Sequence, residues 1–438
     1  ILGLLGRGGM SRVYKVLDPD TNVLLALKLL WPHHILSSQL GQEEVQRRFL
    51  AEAKAMQAIE HPHISRVLYW GQDCGMTYMV QEYLCLNLGL LIGEARQAEL
   101  PSRPISPLKA LDITTQTLQG LQRLHQADIV HRDIKPANLL LSLQEEVRII
   151  DLGLSRLHGE IQNHPQGMIV GSPYYAAPEQ MEDPEQAGPS ADLYSLAVVL
   201  YRMVTGQLPE HAQGKSKQDS LLGESWLDFQ LKALARDPGQ RFQEASEMLQ
   251  AVQVLQQDWK QKRQEICKLP EPANYTWNPG DKPLRKEPIF TGSGQNGTWA
   301  DLNRLLQPKG FLESEFSSLQ EGILDSATGL VWGFAVSRIP LTQQEAWEFI
   351  AGLAAGSRPW RLPTLEELLS LLQPRRSLEE VCAPPLEQLQ GVSRLWSADQ
   401  QTKSKGWVLD LEQGAALAQD RHCRFRVLPV QDAASSTD

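Results

Sequence analysis

The sequence predicts an α+β protein made of two folding units, on three observations. The chain has 438 residues, more than one typical domain holds. Alternating apolar stretches near the N-terminus give way to helix-period segments, so strands and helices are segregated along the first half. Residue usage then changes. Eight of nine tyrosines and nine of ten histidines precede residue 256, whereas seven of eleven tryptophans follow residue 270.

Composition narrows the classes. With 42% hydrophobic and 21% charged residues the chain is globular rather than disordered. A net charge of −10 argues against general binding of nucleic acid or anionic membrane. No apolar run is long enough to span a bilayer, and no signal peptide is expected within these residues. Residue 1 already lies inside the first strand pattern, so the native chain is expected to start earlier, with room for an anchor upstream. The five cysteines (Cys74, Cys85, Cys267, Cys382 and Cys423) are odd in number and lack CxxC spacing. They read as reduced thiols in a cytoplasmic protein.

Taken in order, Leu5-Gly6-Arg7-Gly8-Gly9-Met10-Ser11 is a Gly-rich turn, and Val13-Tyr14-Lys15-Val16 returns from it as a strand. Gly6 and Gly8 would let backbone amides approach an anion without a Cβ in the way. Residues 23–30 form an apolar strand carrying one lysine, Lys28. A buried lysine is costly unless paired; the bland alternative is an edge strand that points it at water. Segment 43–59 is a charged helix containing Phe49-Leu50-Ala51-Glu52-Ala53, and 77–84 is another strand.

The most informative string is His131-Arg132-Asp133-Ile134-Lys135-Pro136-Ala137-Asn138, with Asp151-Leu152-Gly153 beginning thirteen positions after Asn138. A lone polar loop would explain three of these residues but not the whole spaced set. An Asp, an Asn five residues on and a second Asp beyond a short hairpin suit phosphoryl transfer from Mg-ATP. Asp133 would orient the attacking hydroxyl and accept its proton. Asn138 and Asp151 would offer hard oxygens to Mg2+, and Lys135 would offset charge on the transferring group.

These motifs resemble the protein kinase superfamily, most closely the eukaryotic-like Ser/Thr kinases of bacteria. The resemblance implies a bilobal fold, with an N-lobe and hinge at 1–84, its first strand truncated, and a C-lobe at 85–255. It implies that Lys28, paired with Glu52, holds the nucleotide phosphates. The backbones of Glu82 and Leu84 would bond adenine, with Val13, Ala26 and Leu140 as apolar walls. Asp192 would bond the backbone of the catalytic loop, and Arg241 would pair with Glu179. Lys135 would favour protein Ser/Thr acceptors over Tyr.

Three departures stand out. Ser11 replaces the third glycine of the pattern. Gln81 falls at the gatekeeper position, where a buried amide needs a water or a backbone partner. Between Leu154 and Gly171 the only hydroxyl side chain is Ser155, so Arg132 is expected to meet Glu160 or no covalent phosphate. His158 and His164 are offered there beside Glu160, and Ser172 is expected to face the acceptor.

Residues 256–289 read as a polar helix followed by a linker or surface strap. Beyond them come Asp325-Ser326-Ala327-Thr328-Gly329, an amphipathic helix from Leu341 through Ala355 with Ala346, Trp347, Ile350 and Leu353 at helical spacing, and Trp360-Arg361-Leu362-Pro363-Thr364-Leu365-Glu366-Glu367-Leu368. Leu395-Trp396-Ser397-Ala398, Gly406-Trp407-Val408-Leu409-Asp410-Leu411 and Arg424-Phe425-Arg426-Val427-Leu428 follow. This order resembles the Lcl C-terminal domain, over 290–430, and implies a mixed α+β, C-type-lectin-like fold that binds an unknown ligand or partner. The plainer alternative is that its tryptophans, Arg361 and Glu366 only hold a small fold together. Residues 431–438 read as a disordered tail. The alternative function class for the whole chain is a pseudokinase scaffold that binds nucleotide without catalysis.

Overall fold

The structure, a computed structural model, describes residues 1–7, 11–32, 41–94, 99–152, 156–157, 174–182, 187–209, 223–262, 284–292, 300–312, 314–353, 358–373 and 386–433. It is α+β and divides into two compact units, Ile1–Lys262 and Arg263–Asp438.

In the first unit, β1 (Gly3–Arg7), β2 (Ser11–Leu17), β3 (Leu24–Leu30), β4 (Val67–Asp73) and β5 (Met76–Glu82) form an antiparallel sheet in the order β1-β2-β3-β5-β4. Directly opposed residues on antiparallel strands share a face. Val13 opposes Lys28, Lys15 opposes Ala26, and on the other side Met79 opposes Lys28 and Gln81 opposes Ala26. One face therefore carries Val13, Lys15, Ala26, Lys28, Met79 and Gln81.

Helix Gln42–Ala58 has no side-chain cap at Gly41. A missing cap forgoes only about 1 kcal/mol. Burial of Val45, Phe49, Ala53 and Met56 outweighs that, since a fully buried Val, Phe or Met is worth roughly 1.5–3 kcal/mol. The helix stands because of the face it presents.

Helices dominate the rest of this unit. Pro107–His125 starts at Ser106, whose hydroxyl accepts from Lys109 N, with Pro107 in the first turn, where its missing N–H costs nothing. It buries Ala110, Ile113, Thr114, Thr117, Leu118, Leu121 and Leu124 at three- and four-residue spacing. Pro189–Thr205 is buried almost all round and stops at Gly206, which is left-handed at φ 74°. A Cβ at Gly206 would also meet the Ser102 carbonyl oxygen at 2.5 Å, so glycine is required twice over. Helix Ala245–Lys262 runs unbroken past 255, burying Leu255 and Trp259, so the polar helix expected from 256 belongs to this unit.

The second unit holds a four-stranded sheet built from Phe316–Ser318, Ile323–Asp325, Leu330–Trp332 and Val430–Asp432, and a three-stranded sheet of Arg394–Thr402, Lys405–Asp410 and Ala415–Asp420. Trp332, Trp396 and Trp407 are fully buried. Helices Gln343–Ala351 and Leu365–Ser370 each start with a complete capping box, from Thr342 to Glu345 and from Thr364 to Glu367. The first helix ends at Ala351, short of the expected Ala355, and Trp347 is 37% exposed because the buried face runs through Gln343, Ala346 and Ile350.

Two expectations are corrected and one is decided. The tail is not disordered at its start: Gln431 and Asp432 belong to the strand Val430–Asp432, which pairs with Leu330–Trp332 and supplies the sheet's last ladder. Of the two readings before 290, linker or strap, residues 284–291 take the second: Arg285 pairs with Asp399 through two 2.8 Å bonds, Ile289 N donates to Asp399 at 2.8 Å, and Arg285 N donates to Glu366 at 3.0 Å. Finally, Cys85 and Cys423 each belong to a disulfide, while Cys74 is free and exposed. The reading of all five cysteines as reduced thiols therefore fails at these two. Cys267, Cys382 and residues 434–438 lie outside the described residues.

Candidate active site

Lys28 leaves β3 on the face already described and meets two carboxylates. Its ammonium lies 2.8 Å from Glu52 Oε1 and 2.7 Å from Asp151 Oδ1. Lys28 and Glu52 are almost fully buried, whereas the Asp151 side chain is 45% exposed. Burial opposes the ammonium, but Asp151 and then Glu52 overcome it, so Lys28 is held charged above its ordinary range. For Glu52 burial is the larger influence, and it raises the carboxyl despite Lys28.

The catalytic loop forms a second cluster. Lys135 Nζ lies 2.7 Å from Asp133 Oδ2. Asn138 Nδ2 donates to Asp133 Oδ2 at 2.9 Å and to the Asp133 carbonyl at 2.8 Å. Both bonds use the amide nitrogen, so the side-chain oxygen Oδ1 is the atom Asn138 could offer a cation. Ile150 N donates to the Asn138 backbone carbonyl at 3.1 Å, which brings Asp151 beside Asn138. An amide oxygen and a half-exposed carboxylate are the hard donors a divalent cation such as Mg2+ accepts.

Buried scaffolding holds this loop. Asp192, fully buried, accepts from His131 N at 2.8 Å, from Arg132 N at 2.7 Å, and sits 2.9 Å from His125 Nε2. Burial pushes its carboxyl up, but the bonds and charge of His125, the charge of His131 and the Arg132 amide hold it below the ordinary aspartate range. Arg132 and Asp151 are both left-handed, at φ 65° and 67°, a conformation that non-glycine residues keep only when their surroundings impose it. Arg132 is buried, and its Nη2 donates to the Ala187 carbonyl at 3.0 Å. Arg241 makes two 2.8 Å bonds to Glu179.

Of the expected wall residues, Val13 and Ala26 share the Lys28 face, and Leu140 lies on the strand Leu139–Leu141 that leads from Asn138 towards the Asp151 loop. Glu82 ends β5, next to Leu84, and its carboxylate lies 3.4 Å from Arg148 Nε. Gly6 is paired with Val13 across the β1–β2 ladder. Gly8, Gly153, Ser155, His158, Glu160, His164 and Ser172 lie outside the described residues. The Gln81 amide, 9% exposed, donates from Nε2 to Met56 Sδ at 3.5 Å, a partner other than the water or backbone group expected.

Lys15 carries no motif, yet it is 2% exposed on the same face as Lys28, with the Tyr83 ring 5.9 Å away. Its place two residues beyond Val13 on one strand is the signal that could have found it.

A family model for the protein kinase domain matches residues 1–269. The chain belongs to the protein kinase domain family. Residues 321–431 match the Lcl C-terminal domain. Among curated relatives, the chain is 33% identical over 205 residues to a probable serine/threonine-protein kinase, pknA2, of Bifidobacterium longum, covering 47% of this chain and 26% of that one. It is 33% identical over 215 residues to the serine/threonine-protein kinase pkn2 of Myxococcus xanthus, covering 48% and 24%. It is 29% identical over 263 residues to the serine/threonine-protein kinase PrkC of Bacillus subtilis, covering 57% and 39%. The chain thus spans well under half the length of these relatives. Protein kinases as a family use ATP and a divalent metal. Among the described residues, no helix is long and apolar enough to cross a membrane.

The Lcl-type unit offers different chemistry. Its described residues include an open apolar groove of about 690 Å3 lined by Phe334, Val336, Ile339, Phe349, Leu353 and Trp360. Arg361 is bonded to Glu367 at 2.7 and 2.6 Å, and Glu366 accepts from Arg285 N at 3.0 Å. Both residues are committed to the fold.

Proposed function

We propose that this chain is a Ser/Thr protein kinase that transfers the ATP γ-phosphoryl group to protein hydroxyls. The carrying observation is the joining of two clusters, Lys28–Glu52–Asp151 and Asp133–Lys135–Asn138, by the Ile150-to-Asn138 backbone bond. Mg-ATP, when bound, supplies the transferable phosphoryl group and the charge that balances it. Lys28, oriented by Glu52, would grip the nucleotide phosphates. Asn138 and Asp151 would hold the Mg2+, and the sheet face of Val13 and Ala26, with Leu140, would cover the adenine. Gly6, Gly8 and the backbones of Glu82 and Leu84 complete the nucleotide site in this reading. Asp133, fixed by Asn138, would orient the acceptor hydroxyl and take its proton as the bond to phosphorus forms and the bond to ADP breaks. Lys135 stands beside that carboxylate, where it would offset negative charge on the transferring group.

The test is transfer from labelled ATP to dephosphorylated casein by the full chain and by Asp133→Asn. The expected loss is about 10³-fold, within the range for removing a positioned base. Equal incorporation in both proteins, or none in either, would leave a nucleotide-binding scaffold as the better description.

A further inference from the structure

Strand β5 ends at Glu82, which opposes Leu25 in the five-stranded sheet and whose carboxylate lies 3.4 Å from Arg148 Nε. The next strand, Leu86–Asn87, belongs to a different sheet, in which Leu86 opposes Leu141 and Asn87 opposes Leu140. Asn87 Oδ1 then accepts from Leu90 N at 2.8 Å and starts the short helix Leu88–Leu91. Tyr83, Leu84 and Cys85 are thus a three-residue connection between two anchored strands. A few such connecting residues are where one sheet can pivot against another.

Cys85 sits on that pivot, half-buried, and belongs to a disulfide. It directly follows Leu84, whose backbone faces adenine in the proposed nucleotide site. Two residues beyond it, Asn87 opposes Leu140, the apolar wall of the same site. One sulfur is therefore fixed within two residues of both sides of the adenine slot. Exposure alone does not decide which cysteine is bonded, since Cys74 is exposed and free. A covalent tie on a pivot removes conformations that the connection would otherwise sample.

We propose that the disulfide at Cys85 is a redox device that sets nucleotide affinity. Closed, it holds residues 83–85 in the shape that receives adenine; opened by a dithiol, it lets the pivot move and weakens binding. This rests on the kinase reading and deepens it. Opening is thiol–disulfide exchange, for which the half-buried sulfur leaves a line of attack. A thiolate of the dithiol attacks, the S–S bond breaks, and the second thiol of the reagent closes on the mixed disulfide. Cys85 and its partner sulfur gain two electrons and two protons, and the reagent leaves as a cyclic disulfide.

Calorimetric titration of the full chain with Mg-ADP tests this, in oxidised protein and in protein treated with dithiothreitol, for wild type, Cys74→Ser and Cys85→Ser. Freeing a connection that was held in its binding shape is expected to weaken wild-type affinity about fivefold on reduction. Cys74→Ser should respond as wild type does, and Cys85→Ser should bind like the reduced protein under both conditions. Iodoacetamide labelling of the same samples, read by mass spectrometry, should find Cys85 protected at first and labelled in step with the loss of affinity. Unchanged affinity on reduction, a response that survives in Cys85→Ser, or Cys85 labelled before reduction overturns the proposal. So does a lowered melting temperature at unchanged affinity, the mark of a bond that only braces the fold. Should Cys85→Ser fail to fold, the labelling series decides alone, because affinity must then follow Cys85 rather than any other cysteine. A wild type that melts normally yet binds no Mg-ADP in either state overturns the kinase reading itself, a result distinct from equal binding in both.

Discussion

The Lys28 cluster of the first unit and three arginine pairs of the second bury charge in opposite ways. In the first, Lys28 and Glu52 are closed off but their third member, Asp151, keeps a side chain 45% exposed. In the second, Arg361–Glu367, Arg394–Asp410 and Arg285–Asp399 each end on a carboxylate with no exposed surface. A closed pair can only fix shape, whereas an open one keeps an oxygen available to a ligand. That contrast separates a site from a staple more reliably than residue type does.

The contrast can be broken from either side. The largest effect is expected at Asp399, whose two oxygens take Arg285, Ile289 N and Leu365 N. Asp399→Ala strands a guanidinium and two amides, and should destabilise the second unit by about 3–5 kcal/mol. Urea unfolding followed by tryptophan fluorescence would measure it; a loss below about 1 kcal/mol would mean that closed pairs here are ornaments of the fold. Next comes Lys28→Met, expected to lower phosphate transfer by about 10²- to 10³-fold while the second unit unfolds as before. Activity surviving within about tenfold would put the open cluster on the same footing as the staples.

The smallest effect is a pH dependence confined to the first unit. The Asp192 carboxyl is lowered on folding, so its contribution is complete above the ordinary aspartate value of 3.8 and is lost as pH falls through the lower folded value. Stability of the first unit between pH 5 and about 3 should therefore fall more steeply in wild type than in Asp192→Asn. Identical slopes would show that Asp192 holds the catalytic loop without any charge of its own.

The parts of the site that a strand or a spaced loop can encode were legible in the sequence. Lys28 stands alone in an apolar strand, and Asp133, Asn138 and Asp151 keep a spacing that a hairpin requires. Partners drawn from far along the chain were not legible. Nothing local joins Glu94 to Arg202 and Tyr175, and Gln81 found a sulfur because Met56 sits 25 positions earlier on a helix. Residues 431 and 432 looked like the start of a tail because so short a strand shows no periodicity, although their backbone completes the sheet. Trp347 fits a helical stripe on spacing, yet a large ring at the stripe's edge stays half outside. The Lcl-type unit was read chiefly from one dense string, Trp360 to Leu368, while the stretch before 290 stayed open between linker and strap until its anchor, Asp399, was known.

That strap and strand 430–432 meet: Lys286 Nζ lies 3.0 Å from Asp432 Oδ2. The first and last described segments of the unit therefore share one corner. A domain with neighbouring ends can be spliced into a loop of another protein without prising that loop open, or re-cut to begin elsewhere with its old ends joined. This makes the second unit portable, a cassette that could have been added to a catalytic partner in a single recombination event and that can be moved again by design.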